Sequence, residues 1–235
     1  MPSAPVLHSE WLKIRTLRSL PAALLALFVV TTAFSALAGA DAGDGPDSDP
    51  LFTALSGVLP GQIAAVSFGA LAMAAEYHGG ALRLSLAAVP QRGRWFAAKL
   101  TAVGVPVLLT GLVTAAAALG AARADGLTGS EQARAIAGCG LYLMLMALFA
   151  AGLTAVFRSG AATLSVLIPF ILVVSFVVGD AVGTVADFLP DKAGQTVLHR
   201  TYDGSLGPWS GLAVTALWTA AALLAGAWSV RRRDT

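Results

Sequence analysis

The sequence predicts an all-α integral membrane protein of six transmembrane helices. A short interfacial helix precedes the first span, a cytoplasmic helix joins the second to the third, and short re-entrant helices lie outside. Three observations lead there. The 235 residues are 57% hydrophobic and 12% charged, with a mean hydropathy of +0.76, whereas soluble domains run at about 45–50% apolar and about 25% charged. The apolar residues form long blocks near the roughly 20 residues that cross a bilayer as a helix. These blocks lack the period-two alternation of barrel strands, so each must satisfy its own backbone polar groups as a helix.

The spans are read at 20–38, 56–75, 97–121, 135–157, 161–178 and 211–230. They leave no separate soluble domain: residues 1–19 form an interfacial segment and 20–235 one transmembrane domain. The first block follows Lys13, Arg15 and Arg18 and ends in small residues, as a cleavable secretory signal would. Its apolar run exceeds the about 7–15 residues of a signal core, so it is read as an anchored span. Pro60, Pro106 and Pro169 fall inside spans and should bend them. Gly138, Gly140 and Gly152 should mark close helix approach.

Charge sets the orientation, since Lys and Arg concentrate in cytoplasmic loops. With the amino terminus inside, all but four of the 15 cations are cytoplasmic, the exceptions being Arg123, Arg134, Lys192 and Arg200. The acids mirror this, with only Glu10, Glu76 and Asp234 inside. Both termini are therefore expected in the cytoplasm, and the chain in the inner (plasma) membrane. No nucleic-acid partner is expected.

In the interfacial segment Leu7, Trp11 and Ile14 share a helical face, and Trp11 with Lys13, Arg15 and Arg18 suits the inner headgroup layer. Pro21 would let the chain turn from that plane into the first span. The alternative is an ordinary basic flank that only sets topology. Residues 76–94 are too apolar for a solvated loop and too short for a span. A helix over 81–88, ended by Val89 and Pro90, would show Leu82, Leu86 and Val89 on one side. That side needs a partner, either the chain's own bundle or a second protein. Residues 179–209 are too long for a structureless loop and should form short helices, broken at Leu189-Pro190 and at Gly204, that dip into the outer half of the bundle.

Chemistry is sparse. There is no G-x-x-x-x-G-K-[ST] phosphate loop, H-E-x-x-H, C-x-x-C or G-x-S-x-G. His8, His78 and His199 lie on different segments, and Cys139 has no disulfide partner in the chain and reads as a small buried hydrophobe. No ionisable residue lies near the centre of a span, where ion-coupled carriers and pumps usually keep one. No catalytic or metal-binding residue is assigned, and energy for any transport would come from elsewhere.

The stretches LHSEWLKIRTLRS, EYHGGALRLSLAAVPQRGRWFAAKL and RRRDT resemble the membrane subunits of ABC-2 type transporters, the compact six-helix bacterial permeases that pair with a separate ATPase. The most specific part is E-x-x-x-G-x-[IL]-R-x-x-L-x-x-x-P-x-R, matched by Glu76, Gly80, Leu82, Arg83, Leu86, Pro90 and Arg92. Two positions depart from the family: Gly79 stands where a polar residue is common, and Ala81 where Thr is.

The resemblance implies that the segment with Trp11, Lys13, Arg15 and Arg18 is the elbow helix. About 79–90 would be a coupling helix seated by its apolar side in a groove of the ATPase, with Glu76 and Arg83 as polar contacts, and 179–209 would be external helices. It also implies a permease dimer, homodimeric or of two paralogues, on a dimer of ATPases that hold ATP and Mg, with no cofactor in this chain. The second and fifth spans would line a central path carrying Gln62, Ser67, Ser165 and Ser175, although each Ser could equally bond its own helix backbone. Such a neutral lining suits export of a lipid-like or amphipathic molecule such as an antibiotic, a peptide or a lipid-linked compound. The alternative function is a non-transporting scaffold or immunity subunit that binds a cytoplasmic partner through the same helix.

Overall fold

The computed structural model describes residues 4–41, 49–89, 91–123, 126–174, 183–201 and 204–233. Every element among them is helical. Helix α1 (Ala4–Thr16) runs through one turn into α2 (Ser19–Asp41), which carries Pro21 in its first turn, where the missing amide hydrogen costs nothing. At 1.5 Å per residue the 23 residues of α2 extend about 35 Å, enough to cross a hydrocarbon core about 30 Å thick.

Helix α3 (Pro50–Leu55) is capped by Asp49, whose carboxylate accepts from the amides of Leu51 at 2.9 Å and Phe52 at 3.2 Å. It is separated from α4 (Val58–Ala74) by Ser56 and Gly57. Pro60 therefore lies in the first turn of α4 and does not bend a span from within. The break lies three residues earlier, where any side chain on Gly57 would meet the backbone of Thr31. A short 3-10 turn, Ala75–Tyr77, ends α4. Gly79 (φ +61) and Gly80 (φ +76) then turn the chain in the left-handed region, which L side chains enter only at a cost, and α5 (Ala81–Ala88) follows.

Helix α6 (Arg92–Ala121) continues through Pro106, and α7 (Gly129–Phe157) begins at a capping box of Thr128 and Glu131. Helix α8 (Gly160–Pro169) passes at its proline into a π-helical turn, Phe170–Val174, since the ring removes a donor from the regular ladder. On the far side a 3-10 segment, Gly183–Phe188, leads to α9 (Pro190–Gln195), a 3-10 turn at Thr196–Leu198, and finally α10 (Pro208–Arg233). The break expected at Leu189-Pro190 is present, with Leu189 as the cap of α9.

Among the described residues, five helical stretches are long and apolar enough to cross a membrane: Ser19–Asp41, Pro50–Tyr77, Arg92–Ala121, Gly129–Phe157 and Pro208–Arg232. The span expected at 161–178 is represented by a shorter apolar stretch, Gly160–Val173, and its last residues lie outside the described ones.

Helix α7 is the axis of the bundle, packed on α4, α6 and α10. Small residues permit this. A side chain on Gly69 of α4 would strike the backbone of Ala147, and one on Gly138 would strike Val197. A methyl on Gly140 would come within 2.8 Å of Leu112, and one on Gly152 within 2.8 Å of the α10 backbone at Ala222. The three glycines of α7 thus sit at close approaches, as their spacing suggested. Cys139 is fully buried among them.

Overpacking such a contact costs about 1–3 kcal/mol. Gly152→Ala should therefore lower the unfolding temperature in detergent. Gly120→Ala, where no atom lies within 4 Å of the added methyl, should leave it unchanged or slightly raised.

Candidate functional site

Glu10 and Lys13 of α1, Glu76 after α4 and Lys99 of α6 converge on one cluster, buried except at Lys13, which keeps about a third of its side chain exposed. The inward face of α1 is set by Glu10 and Ile14, one turn apart and 2% and 6% exposed. On α6 the buried stripe Trp95, Lys99, Ala102, Val103 faces it, and Lys99 is 3% exposed. Between them stands Glu76, 1% exposed, at the end of the second membrane-length stretch.

Lys99 Nζ donates to Glu76 Oε1 at 2.6 Å and to Glu10 Oε2 at 2.8 Å. Lys13 Nζ donates to the same Glu76 oxygen at 2.9 Å and to Glu10 Oε1 at 2.8 Å. The second Glu76 oxygen accepts from Ser85 Oγ of α5 at 3.2 Å, and Lys13 also reaches that hydroxyl at 3.3 Å. Two carboxylates and two ammonium groups thus alternate in a ring with no net charge, and α5 is tied to it by its only serine.

Burying one of these charges alone would cost several kcal/mol, and only closure of the whole set offsets it. Burial by itself would lower the pKa of Lys13, but its hydrogen bonds to Glu10 and Glu76 and the attraction of both carboxylates leave it raised.

Several expectations change here. Glu76, expected to contact an ATPase, is enclosed within the chain. Lys13, expected in the headgroup layer, belongs to the ring, whereas Trp11, Arg15 and Arg18 are exposed. On α5 the side formed by Leu82, Leu86 and Val89 faces the chain's own bundle: Leu82 is 5% exposed, and the other two pack on the core. Of the two partners left open for that side, the bundle is the one in place. The outward side is Arg83, Leu84 and Ala87, with Leu84 74% exposed. Gly80 contributes its left-handed backbone, and Pro90 lies outside the described residues.

Glu10 and Lys99 were not singled out in the sequence. The available signal was their register, since each falls within an apolar helical stripe, where a charge must find a partner.

The residues expected to line a path differ in exposure. Gln62 is buried in α4, and its side-chain oxygen accepts from the Tyr142 hydroxyl of α7. Ser67 is half-buried on the same helix, Ser165 is exposed on α8, and Ser175 lies outside the described residues.

The same end of the bundle gathers the close of α10. Arg92 donates to the carbonyls of Val230 at 3.2 Å and Arg231 at 2.8 Å. The opposite end is held differently. Asp49 Oδ2 accepts from the Arg200 amide at 2.9 Å and faces His199 Nδ1 at 3.3 Å, the His199 ring stacks on Phe52 at 4.3 Å, and Arg200 Nε meets Glu131 at 2.7 Å. Burial lowers the pKa of His199, and Asp49 only partly opposes it.

Among the described residues no three His, Cys, Asp or Glu side chains are grouped to hold a metal. No protein-family model and no curated protein matches the chain. The carboxylates and ammonium groups of the cluster bond one another and Ser85.

Lys99→Met would leave two buried carboxylates with one cation, and should destabilise the protein by about 3–5 kcal/mol in denaturant unfolding. In a Glu10→Gln, Lys99→Met pair the losses should fall short of their sum, because the two groups share one contact. The pH dependence follows from the raised Lys13. Its contribution is complete below the usual lysine value of about 10.5 and disappears as pH rises through the higher folded value. Proteolysis at Arg15 and Arg18 should accelerate only in that alkaline range.

Proposed function

We propose that the chain is the membrane-spanning permease subunit of an ATP-driven ABC-2 type transporter, exporting a lipid-like or amphipathic molecule and worked by a separate ATPase that binds ATP and Mg. The observation that carries this reading is the clamping of α5. A short helix at the charged end of the bundle is fixed to α1, α4 and α6 through Ser85, Glu76 and the two lysines. It keeps Arg83 and Leu84 free to meet a partner at its outward side. A push on such a helix is passed to the bundle rather than absorbed by a loop. In this reading α1 is the elbow, and Glu76 acts inside the lever rather than at the ATPase surface.

A sixth crossing fits the same geometry. Gly160, at the start of α8, lies against Ala74, next to the charged cluster, while α9 packs on Tyr142 in the middle of α7 and on the first turns of α10. In this reading a sixth crossing joins those points. An even number of crossings puts both termini on one side, and the basic residues assign that side to the cytoplasm. Two copies of the permease on two ATPase subunits would complete the machine. To move it from 1:99 to 99:1 between inward-open and outward-open states, nucleotide must favour one by about 5.5 kcal/mol, which requires contacts that differ between the states.

The test is co-purification with an ABC-type ATPase co-expressed with the chain, followed by hydrolysis assays in proteoliposomes. A paired Arg83→Glu, Leu84→Glu variant should insert normally yet lose the ATPase, at least tenfold in affinity, since an exposed hydrophobic anchor and a charge are both reversed. Retention of the ATPase by this variant would remove the coupling role of α5. Binding without any stimulation of hydrolysis by amphipathic compounds would favour a scaffold over a transporter.

A further inference from the structure

A cleft of about 160 Å³ opens between the start of α6 and the end of α10. Its walls are two parallel stripes of matched polarity. On α6, Arg92, Phe96 and Leu100 follow one another at one-turn spacing, and on α10, Ala227, Val230 and Arg231 close the other side. Both stripes place guanidinium groups at the charged end and apolar side chains toward the middle of the bundle. Among the described residues no acidic side chain lines the cleft.

The Arg231 side chain lies over Gly93, within 3.6 Å of where a methyl there would stand. Arg92 is held in place by the last carbonyls of α10, which also consumes the negative end of that helix. Along α10 the apolar wall runs on to Leu224 and Trp228, which are 72% and 53% exposed, so the cleft is continuous with the surface that faces lipid. Arg232 lies 4.8 Å over the Trp228 ring, an arrangement suited to the depth of the headgroups.

The geometry points to a binding site for one anionic phospholipid: its phosphate between Arg92 and Arg231, and the start of an acyl chain along Phe96, Leu100 and Ala227. Charge complementarity selects the anion, and the apolar wall that leads away from the arginines selects a lipid over a free phosphate. A zwitterionic lipid brings its own ammonium group to the arginines and is disfavoured. The inference needs only that the bundle sits in a membrane, so failure of ATPase coupling would leave it standing.

The full chain, purified in a neutral maltoside detergent, is titrated at fixed ionic strength with phosphatidylglycerol, phosphatidylcholine and inorganic phosphate. Retained lipid is read by native mass spectrometry and Tm by thermal unfolding. Phosphatidylglycerol should be retained and raise Tm, while the other two should do neither. Arg231→Gln should weaken phosphatidylglycerol binding about fivefold, the worth of one arginine near a headgroup, and Ala227→Trp, which fills the cleft, should abolish it.

Equal retention of phosphatidylcholine would overturn the assignment, as would a Tm rise matched by phosphate alone or wild-type binding in both variants. Protection of Arg231 from arginine-modifying reagents by a bound ATPase, but not by phosphatidylglycerol, would reassign the cleft to a protein and equally overturn it.

Discussion

One oxygen atom, Oε1 of Glu76, receives both Lys13 and Lys99, and the arrangement of the charged end follows from that constraint. A carboxylate buried at the end of a membrane helix must be neutralised locally. The chain supplies one lysine from α6 and one from α1, and Glu10 then balances the second positive charge. The amino-terminal helix is thereby drawn against the bundle, and α5 is drawn in through Ser85. The apolar contacts of Ile14 on α1 and of Leu82, Leu86 and Val89 on α5 act beside the ring.

The rest of the molecule divides the work. Steric fit holds the bundle itself: Gly69 and Gly152 let α7 touch α4 and α10 at backbone distance, Gly138 seats the Val197 side chain, and the Tyr142–Gln62 bond pins α7 to α4. The opposite end is closed by polar contacts of Asp49, His199, Arg200 and Glu131. A neutral ring at one end, a closely packed seam in the middle and a loop clasp at the other end hold the bundle together.

Much of this was legible in the amino-acid sequence, because length and hydropathy are one-dimensional properties. The stretches of α2, α6 and α7 follow directly from apolar runs, the break before α9 from Leu189-Pro190, and the close contacts of α7 from its glycines. The expected fifth span is less regular than its composition suggested, since Pro169 converts its continuation into a π turn. What the sequence left open was pairing. Glu76 and Lys13 drew notice, but they lie 63 residues apart, and Lys99 lies 23 residues from Glu76 and 89 from Glu10; only Glu10 and Lys13 are neighbours along one helix, and no local pattern joins the others. The orientation of α5 was undetermined for the same reason, because an amphipathic octamer does not specify which body covers its apolar side. Gln62, read as polar lining, found its hydrogen-bond partner within the bundle.

In this account α1 and α5 form a single rigid unit because the buried ring joins them. The most direct measurement places spin labels at Leu12 and Leu84 of the purified chain, in a Cys139→Ala background, and follows the distance between them by pulsed electron paramagnetic resonance. The account predicts one narrow distance, broadened by Lys99→Met. A broad distance in the intact ring, or one that stays narrow after Lys99 is lost, would contradict it.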